Sequence, residues 1–134
     1  MVHETHERPA ALIVDHDPWT RVVASEVLAQ AGYDVQEASN GSAALRVASR
    51  DRPALVVLDL ALPEQSGVSV LEWLKSSRPM SRVPVIVMSR EPEGLLANTA
   101  VQADVVIQKP FTPSTLLAGV ECAQRPVRIA STAT

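Results

Sequence analysis

Residues 12–21 read LIVDHDPWTR, an apolar run that stops at an acid and leads into a Pro-Trp pair. The run begins at residue 10 and is apolar to residue 14, as expected of a strand covered on both faces in a parallel sheet. Between residues 18 and 31 apolar positions recur at helical spacing, with Asp17 suited to cap the helix and Pro18 to its first position. The segment therefore predicts one strand and one helix, with acidic side chains at their junction.

This strand-helix unit repeats along the chain. Further strands are predicted at 34–38, 54–60, 83–88 and 104–108, and further helices at 41–50, 68–76, 92–101 and 113–123. Alternation of apolar strands with helices favours a doubly wound α/β domain, in which five parallel strands carry helices on both faces. We expect a mobile lead-in at 1–9, one domain at 10–124 and a frayed tail at 125–134.

The composition favours a single domain of ordinary size. Of the 134 residues, 46% are hydrophobic, which is enough to bury one core. The formal charge of -3 is spread over both signs, so direct contact with nucleic acid is not expected. The single cysteine, Cys122, cannot form an internal disulfide, and no secretory signal or membrane span is evident. We therefore expect a cytoplasmic protein without membrane contact.

Chemically active side chains lie at the ends of four of the five predicted strands. They are Asp15, His16 and Asp17 after the first strand, Asp59 at the end of the third, Ser89 after the fourth and Lys109 after the fifth. Parallel strands bring their carboxyl ends to one edge of the sheet, where such folds bind ligands. Carboxylates, a hydroxyl and an ammonium group at one edge can form and hold a phosphoryl bond, with a divalent cation offsetting the phosphate charge.

Each of these residues also has an ordinary structural interpretation. An aspartate after an apolar strand is often a turn or cap residue, so Asp59 alone would not distinguish the two roles. Ser89 can cap a helix, and Lys109 can be a solvated strand end. Their joint placement favours a common site. Asp17 is predicted to cap the first helix, with a secondary effect on the electrostatics of the site.

Over residues 10–124 the chain resembles the response-regulator receiver domains of bacterial two-component signalling. The resemblance is carried by four motifs in order: VDHDPWTR at the first strand, LDLALPEQSG at 58–67, VIVMS at 85–89 and QKPF at 108–111. It implies a flavodoxin-like (βα)5 fold with the strand order 2-1-3-4-5.

The resemblance also implies a role for individual residues. Asp59 is the expected phosphoacceptor, Ser89 the switch hydroxyl and Lys109 the contact to the phosphoryl group. The bond from Lys109 to Pro110 is expected to be cis, as in this family. Mg²⁺ is the expected cofactor, bound by Asp15, Asp59 and the backbone carbonyl of Ala61. Pro63 and Gly67 are expected to shape the loop after the phosphoacceptor.

The position after Asp15 departs from the receiver pattern. Receivers usually carry a second acid there, which binds Mg²⁺ directly, whereas this chain has His16. Because Mg²⁺ prefers oxygen ligands, we expect weaker Mg²⁺ binding at this atypical metal position, with Mn²⁺ as the alternative. Two further interpretations are open: Asp17 turns into the site, or a protonated His16 supplies positive charge itself.

Two positions on the switch half of the domain differ as well. Arg90 follows Ser89 where the family usually has a small residue, so its side chain is expected to restrict access to Asp59 or to hold its carboxylate. Val106 stands where receivers commonly place a Tyr or Phe that couples the hydroxyl to the output face.

These features define three hypotheses. The first is a stand-alone, non-enzymatic receiver that takes a phosphoryl group on Asp59 from a histidine kinase or phosphotransfer protein and signals to a separate effector by protein-protein contact. A homodimer through the fourth and fifth predicted helices and the fifth strand is a further expected contact. The second is a pseudo-receiver, an interaction module independent of phosphorylation. The third is a Mg²⁺-dependent phosphatase similar to the haloacid dehalogenases, whose D-x-D motif is imitated by residues 15–17.

Overall fold

Five parallel strands form the centre of the domain. The computed structural model describes residues 8–63, 66–78, 80–91 and 103–124. The strands are β1 (Ala10–Val14), β2 (Asp34–Ala38), β3 (Leu55–Asp59), β4 (Val85–Ser89) and β5 (Val105–Gln108). They pair in the order β2-β1-β3-β4-β5, which confirms the flavodoxin-like order that the resemblance implied.

Four helices are described, together with one turn of 3₁₀ helix at Met80–Arg82. The helices are α1 (Pro18–Gln30), α2 (Gly41–Asp51), α3 (Gly67–Ser76) and α4 (Pro113–Gln124). Each agrees with a predicted helix to within one residue at either end. The helix predicted at 92–101, most of the predicted lead-in and the predicted tail lie outside the described residues. No helix in the described ranges is long and apolar enough to cross a bilayer.

Short polar side chains start the first three helices. Asp17 accepts hydrogen bonds from the backbone N–H groups of Trp19 and Thr20, and Asn40 and Ser66 cap α2 and α3 in the same way. Such caps satisfy N–H groups that have no partner within the first turn. The predicted role of Asp17 as the cap of α1 is confirmed.

Strand β4 begins two residues later than predicted. Val83 donates its backbone N–H to the carbonyl of Met80 and closes the 3₁₀ turn, and Pro84 has no N–H to contribute to a sheet. Asp104 then accepts the backbone N–H of Val85 at 2.8 Å. The turn and this aspartate together set the start of the strand.

Two apolar layers cover the sheet, one on each face. Alternate residues of the central strands point to opposite layers: Leu12 and Val56 pack with α2 and α3, whereas Ile13 and Val57 pack with α1 and α4. This confirms helices on both faces. Because both faces of β1 and β3 are buried, the strand ends that carry the acidic side chains are held in place.

The fold extends two residues beyond the predicted start of the domain. Arg8 donates to the carbonyl oxygens of Ala29 at 2.8 Å and Gly32 at 3.3 Å, at the end of α1. The carbonyl of Pro9 accepts the N–H of Asp34 at 2.9 Å. A guanidinium group at this end of a helix satisfies free carbonyls and complements the helix dipole. Residues 8 and 9 of the predicted lead-in are therefore attached to the domain.

Candidate functional site

The carboxyl edge of the sheet brings together an acid from β3, an acid that follows β1 and a lysine that follows β5. Asp59 is the last residue of β3, and Asp15 and Lys109 each come directly after their strand. Lys109 is held beside β4, because its backbone N–H donates to the carbonyl of Ser89 at 2.8 Å. The convergence expected from parallel pairing is therefore present, and the peptide bond from Lys109 to Pro110 is cis.

The lysine side chain connects the two carboxylates. Its Nζ lies 2.8 Å from Oδ2 of Asp15 and 3.3 Å from Oδ2 of Asp59. The other oxygen of each carboxylate accepts a backbone N–H: that of Asp17 at 2.9 Å on Asp15, and that of Ala61 at 3.0 Å on Asp59. All four carboxylate oxygens thus have a donor from the chain itself.

For both Asp15 and Lys109, burial and the hydrogen bond between their side chains shift the pKa in opposite directions. Asp15 is 1% exposed and Asp59 is 5% exposed. Burial raises the pKa of Asp15, and the nearby Asp59 adds to this rise, although the hydrogen bonds from Lys109 and Asp17 oppose it. Burial alone would lower the pKa of Lys109, but its hydrogen bond and ion pairs with the two aspartates outweigh burial and raise that pKa. Lys109 is therefore charged at neutral pH.

Ser89, the expected switch hydroxyl, lies at the end of β4 and is buried. Its Oγ accepts the backbone N–H of Glu91 at 3.0 Å, which is the local bond of a turn. Ser89 therefore lies at the edge where it was predicted, with its hydroxyl engaged by the segment that follows the strand.

Gly67 supports the backbone that carries Asp59. A Cβ atom at Gly67 would lie 2.5 Å from the carbonyl oxygen of Asp59 and 2.5 Å from Cα of Leu60. The N–H of Gly67 also donates to the carbonyl of Leu60 at 3.2 Å. Only glycine allows α3 to begin this close to the strand end.

The side chains of His16 and Asp17 both lie outside the group formed by Asp15, Asp59 and Lys109. His16 is exposed, and within the described ranges no ion pair joins it to a carboxylate. Asp17 caps α1 and also accepts the hydroxyl of Thr20 at 2.8 Å, which lowers the pKa of Asp17. The side chain of Asp17 does not turn into the site, because its oxygens accept hydrogen bonds from the first turn of the helix.

A cleft of about 290 Å³ opens beside the lysine. Trp19, Arg90 and Phe111 line it together with Asp17 and Lys109. Trp19 is 70% exposed, and among the described residues Arg90 forms no ion pair with a carboxylate. The expectation that Arg90 holds the carboxylate next to Lys109 is therefore not borne out; the arginine stands at the wall of the cleft.

The donor set fits a small oxygen-preferring cation. Mg²⁺ in proteins commonly has one or two carboxylate ligands and keeps several waters. Asp15 and Asp59 supply two buried carboxylates, while the described residues contain no group of three His, Cys, Asp or Glu side chains that could hold a metal. The remaining positions must therefore be filled by water, a carbonyl oxygen or a phosphoryl oxygen.

Three of the donors at this site were not found from the sequence. The backbone N–H groups of Asp17 and Ala61 have no signature in a sequence. The third donor is Arg21, which donates to the carbonyl oxygen of Asp15 at 2.7 Å. Its position one helical turn after the cap Asp17 is a sequence feature that places it near the loop after β1.

Comparison with protein families identifies the class of protein that this fold and site define. The family model of the response regulator receiver domain matches residues 11–121, so the chain belongs to that family. Receiver domains signal through phosphorylation, generally bind Mg²⁺ at the phosphorylation site, and interact with kinases or phosphotransfer proteins and with effectors. They are generally signalling modules rather than enzymes, and the match to residues 11–121 favours a receiver over the haloacid-dehalogenase-like alternative.

Particular relatives share the domain rather than the whole protein. The "Probable transcriptional regulatory protein TcrX" of Mycobacterium tuberculosis is 35% identical over 101 residues, which cover 75% of this chain and 43% of that protein. The alkaline phosphatase synthesis transcriptional regulatory protein PhoP of Bacillus subtilis is 31% identical over 120 residues, covering 90% of this chain and 50% of that protein. The chain thus spans about half the length of the curated relatives it matches.

Among solved structures, the chemotaxis response regulator CheY4 of Vibrio cholerae is similar over nearly its full length. It superposes with a TM-score of 0.80 and is 28% identical, covering 87% of this chain and 98% of that chain.

Proposed function

We propose that Asp59 is the phosphoacceptor of this receiver and that a histidine kinase or phosphotransfer protein supplies the phosphoryl group. The observation that supports this is the ammonium group of Lys109, which donates hydrogen bonds to both Asp15 and Asp59. An ammonium group at this distance can bind an oxygen of a phosphoryl group attached to Asp59. Because the site is largely closed to water, that interaction is stronger than it would be at the surface.

The transfer exchanges one covalent bond for another. An oxygen of the Asp59 carboxylate attacks the phosphorus of a phosphohistidine; a P–O bond forms and the P–N bond breaks. The bonding electrons stay on the departing imidazole nitrogen, and a proton from water keeps that ring neutral. The product is an acyl phosphate on Asp59 whose added negative charge faces Lys109.

Mg²⁺ is the proposed cofactor, held by Asp15, Asp59 and the backbone carbonyl of Ala61. When bound, the cation offsets the negative charge of the phosphoryl oxygens. His16 stands where receivers usually have a further acid, so the proposed affinity for Mg²⁺ is lower than in a site with three carboxylates. Mn²⁺ is the alternative, because it accepts nitrogen ligands more readily.

Ser89 is the proposed switch hydroxyl. Moving its Oγ toward a phosphoryl oxygen would break the 3.0 Å bond from the N–H of Glu91, so the segment after β4 would respond. The proposed output is protein-protein contact with a separate effector, or with a second copy through the face that includes β5 and α4. Action as a stand-alone receiver stays a prediction.

Acetyl phosphate with Mg²⁺ or Mn²⁺ tests the phosphoacceptor without a kinase. We expect the wild type to gain the mass of one phosphoryl group in intact-protein mass spectrometry, and Asp59→Asn to gain none. Asp34→Asn changes an exposed aspartate at the start of β2 and should behave as the wild type. An adduct with neither metal, or one that persists in Asp59→Asn, would contradict the proposal.

A pseudo-receiver is the second candidate function. His16 favours it, because among the described residues two carboxylates lie at the site and Lys109 already pairs with both. Beryllofluoride with Mg²⁺ imitates the phosphoryl group and separates the candidates. Chemical-shift changes that extend from Asp59 to β4, β5 and α4 in the NMR spectrum support the phosphorylation switch, whereas an unchanged spectrum supports the pseudo-receiver.

A further inference from the structure

Arg21 connects the loop after β1 to strand β2. Its Nη1 donates to the carbonyl oxygens of Asp15 at 2.7 Å and His16 at 3.2 Å. Its Nε donates to Oε1 of Glu37 at 3.0 Å. One side chain therefore holds two consecutive carbonyls of the β1–α1 loop and a carboxylate of the neighbouring strand.

The loop receives these bonds where the sheet stops supporting it. The pairing of β1 with β2 ends at Val14, and beyond it the N–H of Asp15 donates to the carbonyl of Ala38 at 3.1 Å. The carbonyls of Asp15 and His16 lie between this last bond and helix α1. Arg21 supplies donors to both, so the loop is fixed from the helix side as well as from the sheet.

The guanidinium group is itself held in place. Ser25, one helical turn after Arg21, donates from Oγ to Oε2 of Glu37 at 3.1 Å. The side chain of Glu37 is 45% exposed, and an ion pair of that kind adds little free energy. The contribution of the pair is geometric, because the planar guanidinium fork directs its donors to fixed positions.

We propose that Arg21, oriented by Glu37, is a positioning residue for the acidic pocket. The backbone of Asp15 determines where its carboxylate lies, and Oδ2 of that carboxylate is 2.8 Å from Nζ of Lys109. Because outer contacts that orient a ligand strongly affect metal affinity, loss of Arg21 displaces one of the two carboxylates and weakens the cation site. The inference rests on the proposed function only where the metal is used as a readout.

A matched pair of arginine variants tests this role. Arg21→Met removes every donor and keeps most of the apolar stem, whereas Arg46→Met changes an exposed arginine of α2 whose contact with Ser42 measures 3.5 Å. Calorimetric titration with Mg²⁺ and Mn²⁺ should show that Arg21→Met raises Kd about tenfold. Arg46→Met should leave Kd unchanged, and Arg21→Lys, which keeps the charge without the planar fork, should fall between them.

Hydrogen exchange of the metal-free protein provides a second readout. The N–H groups of Asp15 and Asp17 depend on the loop geometry, so we expect Arg21→Met to accelerate their exchange about tenfold, in line with the change in Kd. Amides of β3 and β4 should be unaffected, as should those of Arg46→Met. Exchange at wild-type rates in Arg21→Met would overturn the proposal, even if the variant melts at a lower temperature.

A charge swap separates positioning from simple pairing. The double variant Arg21→Glu with Glu37→Arg keeps opposite charges on the two elements but has no donor at position 21. We expect it to keep the weak metal binding and fast exchange of Arg21→Met; full recovery would show that the ion pair alone matters.

If the wild type binds metal but Asp59 takes no phosphoryl group, the phosphoacceptor proposal fails while the positioning role stands.

Discussion

The ammonium group of Lys109 and the carboxylate of Asp59 lie fifty positions apart in the chain and are joined by a 3.3 Å hydrogen bond. The same ammonium group reaches Asp15 at 2.8 Å, so one cation serves two carboxylates. None of the three side chains is more than 10% exposed. Ionised side chains buried to this extent have little contact with water, so each is stabilised mainly by its oppositely charged neighbours.

Replacement of the lysine tests this dependence. We expect Lys109→Met to lower the free energy of unfolding by about 3 kcal/mol at neutral pH, because two buried carboxylates lose their counter-ion. Lys75→Met is the matched control, since Lys75 pairs at 2.9 Å with Asp104, whose side chain is 43% exposed. The control should cost about 1 kcal/mol. Urea unfolding measures both, and equal losses would show that burial is not what matters.

Asp15 predicts a dependence of stability on pH. Burial raises its pKa above the ordinary value. Such a carboxyl contributes stability below its unfolded pKa and loses that contribution as the pH rises through its folded pKa. We therefore expect Asp15→Asn to gain stability relative to the wild type as the pH rises from about 3.5 to about 7. Urea unfolding at both values measures this, and a difference that shrinks with rising pH would contradict the raised pKa.

The histidine next to the acidic pocket predicts a gain in metal affinity on substitution. His16→Asp adds a carboxylate near Asp15, and we expect Mg²⁺ to bind about tenfold more tightly, which corresponds to about 1.4 kcal/mol. The fluorescence of Trp19, which lines the neighbouring cleft, can follow the titration. His16→Asn is the control for shape without charge and should change little. If both variants bind Mg²⁺ like the wild type, His16 does not limit the site.

Gly67 predicts that even one methyl group disturbs the site. In Gly67→Ala the new Cβ meets backbone atoms of Asp59 and Leu60 at 2.5 Å, and we expect a loss of about 3 kcal/mol in the free energy of unfolding. In Gly119→Ala the nearest atom is the flexible end of Ile107 at 2.8 Å, so a loss of about 1 kcal/mol or less is expected. Thermal unfolding of the two variants measures both losses. Similar losses would mean that the backbone of Asp59 and Leu60 shifts to accommodate the new methyl group.

Much of the fold could be predicted from the sequence alone. Continuous apolar runs marked strands β1, β3 and β4. The caps and helical spacing located helices such as Pro18–Gln30. The strand order came from the resemblance, because periodicity does not reveal which strands are neighbours. The start of β4 was misplaced, since the apolar Val83 reads as strand although its N–H closes a turn with Met80.

At the site, the sequence predicted which residues meet but not how they are held. Asp15, Asp59 and Lys109 were expected at one edge because parallel strands align their ends. Nothing in the sequence indicated that Asp17 and Ala61 donate their backbone N–H groups to those carboxylates, because every residue except proline has such a group. The reach of long side chains is equally hard to predict, since it depends on the register between elements.

The order of the residues along the chain determines when the site becomes complete. Residues leave the ribosome in sequence, so both carboxylates are made well before the lysine. Until β5 joins the sheet beside β4, Asp15 and Asp59 lack the cation that holds them together in the finished domain. A nascent chain that ends before Lys109 therefore carries both carboxylates without their shared counter-ion, and this pairing forms only late in synthesis.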